Sequence, residues 1–180
     1  MKKFIPELIW KTVKTRWIWF SINLCTAFIA SRVIDVFKET ISQIITLATL
    51  MPIVAGIGGN NGNQTATVIV REIALQQVQM DKLFFILKKE IGIAIANGFI
   101  FGIITGIMTC LLYQSIQIAI VMILAIIFNL MIASLIGVIT PIFIMKLGKD
   151  PAFGSSIIIT AITDVTGFLI FLSLATIFLI

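Results

Sequence analysis

From Phe153 to Ile180 the chain reads FGSSIIITAITDVTGFLIFLSLATIFLI, an apolar run broken by a single charge, Asp164. At 1.5 Å per residue a helix of this length exceeds the roughly 30 Å hydrocarbon core of a bilayer. A carboxylate at its centre costs about 3 kcal/mol on insertion scales. Acids placed so deep face a bundle interior or a watery cavity, and they act on ions or protons. Thr160, Asp164 and Gly167 share one face of this helix, offering a hydroxyl, a carboxylate and accessible backbone.

The rest of the chain agrees with a membrane environment. It has 180 residues, 59% of them hydrophobic, with a mean hydropathy of +1.15, far above the soluble range. Five spans are expected: about Trp17–Ala30, Ile41–Gly59, Leu83–Leu112, Ile116–Met145 and Phe153–Leu179. Pro141 is expected to kink or thin the end of the fourth. The fold class is therefore all-α integral membrane, with residues 1–16 as an interfacial or cytoplasmic segment and 17–180 as a five-helix domain. Pro6 to Arg16 reads either as a helix lying in the interface or as a solvated connector.

Charge sets the expected orientation. Lys2, Lys3, Lys11, Lys14 and Arg16 precede the first span. Arg71, Lys82, Lys88 and Lys89 lie between spans two and three, and Lys146 and Lys149 between four and five. With five spans these eleven of thirteen basic residues fall on one side, leaving Arg32 and Lys38 on the other. The positive-inside rule puts the N-terminus in the cytoplasm and the C-terminus outside. The net charge of +5 then needs no nucleic-acid partner. Phe28 occupies the position where a signal peptidase wants a small residue. Cys25 and Cys110 lie within spans and read as small apolar fillers.

A second unusual stretch runs from Met51 to Gln64. Pro52, Gly56, Gly58 and Gly59 weaken a helix, and Asn60, Asn61, Asn63 and Gln64 add amide groups. Two readings stand: unwound backbone lining a cavity, with carbonyls turned to a cation, or a helix C-cap and surface turn. Elsewhere Gly98, Gly102 and Gly106, and Ala133 with Gly137, recur at four-residue spacing as helix-packing faces. Asn97 and Asn129 read as interhelical hydrogen-bond partners. The donors are all oxygen, and there is no histidine. That disfavours zinc or copper and favours a hard cation such as Mg2+, held through its waters by one or two carboxylates.

The segment Pro52-Ile53-Val54-Ala55-Gly56-Ile57-Gly58-Gly59-Asn60-Asn61-Gly62-Asn63-Gln64-Thr65-Ala66-Thr67, followed by Arg71, resembles the signature of the MgtE magnesium-channel family. So do Leu147-Gly148-Lys149-Asp150-Pro151-Ala152 and Thr163-Asp164-Val165-Thr166-Gly167. The resemblance implies a homodimer with a pore on its two-fold axis, lined by the second and fifth spans. It implies Mg2+ as the bound and transported ion, held hydrated by Asp164 of both copies. The carbonyl at Thr160 would face the ion, and Asn60 and Gly56 would lie along the same path. Gly58, Gly59, Asn63, Gln64, Thr163 and Gly167 would line or support it. Family members carry a cytosolic part with paired CBS modules, which these 180 residues do not contain, and a residue smaller than Thr160 is the usual occupant of that position. Charge balance favours a dimer independently, since two copies of Asp164 match one divalent ion. A proton- or sodium-coupled carrier and a structural membrane subunit remain the other readings. An enzyme is disfavoured, with no second acid inside a span and no serine set against a lysine base.

Overall fold

A computed structural model describes residues 4–76, 83–148 and 150–180, with all their side chains except those of 4–8, 11, 15 and 153. Lys2, Lys3, Lys82 and Lys149, invoked above for orientation, lie outside these residues. Among the described residues all regular structure is helical: α1 (Phe4–Val36), α2 (Lys38–Gln43), α3 (Thr46–Ala74), α4 (Leu83–Tyr113), α5 (Ile116–Lys146) and α6 (Pro151–Leu179). Among the described residues four stretches are long and apolar enough to cross a membrane: Thr12–Val36, Leu83–Tyr113, Ile116–Lys146 and Gly154–Leu179. This is an α-helical, multi-pass membrane protein. At 29 residues α3 is long enough too, but its amides make it too polar to pass on composition.

Three expectations need correction. Pro6–Arg16 is not set off as an element of its own, because α1 runs unbroken from Phe4 to Val36. The expected span Ile41–Gly59 is displaced: a short α2 ends at Gln43, and α3 starts afresh at Thr46. Most important, the glycine and asparagine run is neither unwound nor a turn. It lies wholly inside α3, which continues through Pro52 to Ala74.

Packing explains why that run stays helical. Leu47, Leu50, Met51, Val54, Ala55, Gly58, Gly59, Gly62, Thr65, Ala66 and Ile69 are buried, which is one stripe at helical spacing. That stripe lies against α5 and α6. A β-carbon on Gly62 would fall 2.6 Å from Ile159 Cγ2 and 3.2 Å from the Ala133 carbonyl oxygen. One on Gly137 would fall 2.6 Å from the Gly62 carbonyl oxygen. Gly62 and Gly137 are where backbones meet, not where the helix fails. In hydrocarbon an opened helix would leave backbone groups with no water to receive them, so the ladder stays closed.

The same logic joins α4 to α5. A β-carbon at Gly98 would sit 3.0 Å from Ile127 Cα, at Gly102 3.2 Å from the Ile123 oxygen, and at Gly106 3.3 Å from the Ala119 oxygen. The three glycines are a packing face, as expected from their spacing. Helix α5 is thus the centre of the bundle, touching α3, α4 and α6, and it continues past Pro141 to Lys146. Helix α1 packs on α6, with Trp19 filling the notch at Gly154. Among its described side chains only Ala30 is buried. Both cysteines are free.

The Leu147–Ala152 motif has a mechanical meaning. Gly148 adopts φ +68°, the left-handed turn that stops α5. The Asp150 carboxylate then accepts from the Ala152 N–H at 2.9 Å, with Pro151 as the first residue of α6. A stop and a start fit into four residues.

Candidate functional site

Helix α3 has two unlike faces. One is the buried glycine stripe. On the other, Thr49, Gly56, Asn60, Gln64 and Thr67 are exposed, and Asn63 is half-buried. The exposed face of α4 is different, carrying Ile93, Ile100, Phe101, Ile104, Ile107, Met108 and Leu111, the composition of a lipid-facing surface. A row of carboxamides and hydroxyls flanked by such helices needs water or another protein surface against it.

Asp164 stands on α6, the neighbour of α3. It is half-buried, and among the described residues its carboxylate makes no hydrogen bond or ion pair, the two ion pairs being Arg32–Asp35 and Lys89–Glu90. The hydroxyls beside it turn to their own helix. Thr163 Oγ1 donates to the carbonyls of Ile159 (2.9 Å) and Thr160 (3.0 Å). Thr166 Oγ1 donates to the carbonyl of Ile162 at 2.7 Å. The Thr160 carbonyl therefore already carries one side-chain bond besides the helix ladder. No group of three or more histidine, cysteine or acidic side chains could hold a metal among the described residues. A lone carboxylate such as Asp164 suits an ion that keeps its waters better than a dehydrated one.

The expected site residues fall into three sets. Asn63 and Thr160 meet directly, the Asn63 amide donating to Thr160 Oγ1 at 3.4 Å across the α3–α6 contact. Asn63 also lines a cavity of about 270 Å³ with Thr67, Ser155 and Ser156. Asn60 and Gln64 turn the other way, into a cavity of about 230 Å³ shared with Asn61, Asn97 and Phe101 between α3 and α4. Among the described residues of one protomer no hydrogen bond joins Asn60 to α6. Gly56 lies on the open face, where a β-carbon would meet nothing within 4 Å. Because the backbone there is helical, its carbonyl belongs to the helix ladder rather than being turned to a ligand.

The third set is buried support. Gly59 closes on Thr163, whose Oγ1 would lie 3.6 Å from a β-carbon there, and Thr163 is fully buried. Gly58 and Gly167 press on the Asn129 amide from two sides. Asn129 does bridge helices, its Nδ2 donating to the Val54 carbonyl at 2.8 Å. Asn61 does likewise, donating to the Leu130 carbonyl (3.2 Å) and to Ser134 Oγ (2.8 Å). The expectation of no second acid inside a span fails at Glu90 of α4, which is buried, 3.4 Å from Thr65 Oγ1 and 3.7 Å from Lys89 Nζ. Its signal was an acid just inside an apolar run, the same signal that drew attention to Asp164.

Comparison with known proteins bears on this arrangement. The MgtE family model, described as a divalent cation transporter, matches residues 51–174. Curated relatives named "Magnesium transporter MgtE" are 29% identical over 97% of this chain in Thermus thermophilus and 27% identical over 89% in Bacillus subtilis. A third, from Enterococcus faecalis, is 25% identical over 94%. The chain spans 38%, 36% and 37% of the length of these relatives. The matched region runs from the start of the glycine and asparagine segment of α3 to beyond Asp164 of α6, and on that match the chain belongs to the MgtE family, a family of divalent cation transporters rather than enzymes.

Proposed function

We propose that this chain moves Mg2+ passively across a cell membrane as a homodimer, with α3 and α6 of both copies lining a path on the two-fold axis. The observation that carries the reading is the polar, exposed face of α3 next to a carboxylate on α6 that has no protein partner among the described residues. Two copies of Asp164 supply two negative charges to one divalent ion. Asn63 and the carbonyl of Thr160 contact its water shell beside Asp164, Asn60 and Gln64 extend the polar face of α3, Gly56 keeps the wall clear, and Gly58, Gly59, Thr163 and Gly167 hold the helices close. Selection rests on fitting a hydrated octahedron, while monovalent ions gain less from the paired carboxylates.

The reading includes α3 as a fifth crossing. Thr49 near its start bonds the Tyr113 hydroxyl at the end of α4 (2.9 Å). Ile69 and Ile73 near its other end pack with Leu83, Ile86 and Leu87 at the start of α4. The helix thus runs the length of a neighbour that is apolar enough to cross. With five crossings, Arg71, Lys88, Lys89 and Lys146 fall at one end, the cytoplasmic one. An inside-negative potential of 100 mV then favours entry of a divalent ion by about 4.6 kcal/mol, twice the value for a single charge.

The test is Mg2+ flux into liposomes by the purified protein and by Asp164→Asn, with and without a proton gradient. Flux that vanishes in the variant and ignores the gradient supports the passive path. Flux that requires the gradient replaces it with a coupled carrier. Equal flux from both proteins removes Asp164 from the mechanism.

A further inference from the structure

We propose that Asn129 is a positioning residue that fixes the spacing of α3 and α6, and that discrimination among hydrated divalent ions depends on it. The proposal rests on the transport reading above. Asn129 belongs to α5, which lines no part of the proposed path, and it is 1% exposed.

Its amide is held from two sides. Nδ2 donates to the Val54 carbonyl, the acceptor that the helix ladder of α3 also gives to the Gly58 N–H. A β-carbon on Gly58 would overlap the amide. One on Gly167 would lie 2.9 Å from Nδ2 and 3.3 Å from Cγ. Glycine at both positions leaves a slot one side chain wide, and Asn129 fills it. On α6 the slot lies at Gly167, three residues from Asp164. On α3 it lies at Gly58, two residues from Asn60. One side chain from outside the path thus sets how near the two walls of the path come to each other.

The polarity of the filler is the second observation. Asn129 Oδ1 is buried and accepts no hydrogen bond among the described residues. An orphaned buried acceptor is costly, whereas an apolar residue of similar volume would fill the same slot without that cost. Buried polar groups that persist at such a cost are best known for fixing the register of packed helices. Here the Val54 bond permits one axial position of α5 against α3, and the Gly167 contact transmits that position to α6. A hydrated ion is recognised over its whole width, so a small change in wall spacing alters the fit of each hydrated ion differently.

The experiment compares Mg2+ and Ca2+ flux in liposomes for the unsubstituted protein, Asn129→Leu and Gly167→Ala, together with each protein's melting temperature in detergent. Asn129→Leu removes the bond and the orphaned acceptor. Gly167→Ala keeps both but pushes the amide toward α3. The expected result is that Asn129→Leu melts near the unsubstituted protein while its Mg2+-to-Ca2+ flux ratio falls several-fold. Gly167→Ala shifts the ratio in the same direction. A flux that falls equally for both ions, or a ratio that stays constant, overturns the positioning role and leaves Asn129 as packing. If Asn129→Leu does not fold, Gly167→Ala decides alone. An unsubstituted protein that carries no Mg2+ overturns the transport reading and this role with it. A protein that does carry Mg2+ while its selectivity ignores both substitutions overturns only this role.

Discussion

Replacing Gly137 by alanine tests whether backbone contact holds the bundle together. The new β-carbon would lie 2.6 Å from the Gly62 carbonyl oxygen, 2.9 Å from Thr65 Cβ and 3.1 Å from Thr65 Cγ2. None of these is the far end of a flexible side chain, so α3 and α5 must move apart. Overpacking of this kind costs about 1–3 kcal/mol, against a gain of roughly 1 kcal/mol from removing a mid-helix glycine. The net effect is a loss of about 1 kcal/mol. Gly92→Ala provides the control, because a β-carbon there meets nothing within 4 Å, and it should gain about 1 kcal/mol by the same propensity. Gly106→Ala should fall between, since its nearest neighbours are Cγ1 and Cδ1 of Ile123, which can rotate away. The difference of about 2 kcal/mol between the first two variants corresponds to roughly 4–8 °C in melting temperature for a chain of this size. Thermal melting in detergent, followed by circular dichroism, reads it directly. Gly137→Ala melting at or above Gly92→Ala would refute the claim that α3 and α5 meet backbone to backbone.

Other consequences are equally direct. Thr163→Val removes the hydroxyl that occupies the Thr160 carbonyl while keeping the side-chain volume in its buried site; if that carbonyl serves the ion, Mg2+ flux should rise several-fold with little change in melting temperature, and unchanged flux would show the carbonyl to be a bystander. Gly148→Ala forces an L residue to φ +68° and should cost about 1–2 kcal/mol, visible as a lower melting temperature with Mg2+ affinity intact. One alanine inserted between Gly59 and Asn60 turns the rest of α3 by about 100°, so both stability and flux should be lost. The same insertion at the α4–α5 turn, between Gln114 and Ser115, should leave flux largely intact, and tolerance of the first insertion would contradict the two-faced reading of α3.

The membrane class, the place of Asp164 and the glycine packing of α4 were all legible in the sequence, because each depends on local composition or on spacing along one helix. The state of Met51–Gln64 was not. Glycine and proline weaken helices when water can take the released backbone groups. Here α5 and α6 close on the segment, and Gly58, Gly59 and Gly62 admit close packing instead. The continuity of α1 was hidden for a related reason. Basic residues such as Lys14 and Arg16 suggested a boundary, yet a helix can carry such residues on past the hydrocarbon, their long side chains reaching to the interface. Which cavity each amide enters was beyond sequence reasoning altogether. Asn60 and Asn63 are three residues apart, but one turns toward α4 and the other toward α6, and only the placement of neighbouring helices makes them part ways.

Once the segment is known to be helical, its composition divides cleanly. In Gly56-Ile57-Gly58-Gly59-Asn60-Asn61-Gly62-Asn63-Gln64 the buried residues are Gly58, Gly59 and Gly62, and the exposed ones are Gly56, Asn60 and Gln64. Asn61, between the faces, ties α3 to α5, and Asn63 ties α3 to α6. Two sequences are thus interleaved at helical period, one of small residues for packing and one of amides on the exposed face. Each requires the other. A polar face in a bilayer is tolerable only if the helix behind it is held firmly in a bundle, and glycine allows the closest hold. Conversely, glycine packing alone would leave no reason for amides opposite it, since an apolar face would serve against lipid at no desolvation cost. The pairing of the two stripes on one helix, with Asp164 on the helix beside it, is therefore a stronger sign of an aqueous path than either the glycines or the aspartate considered separately.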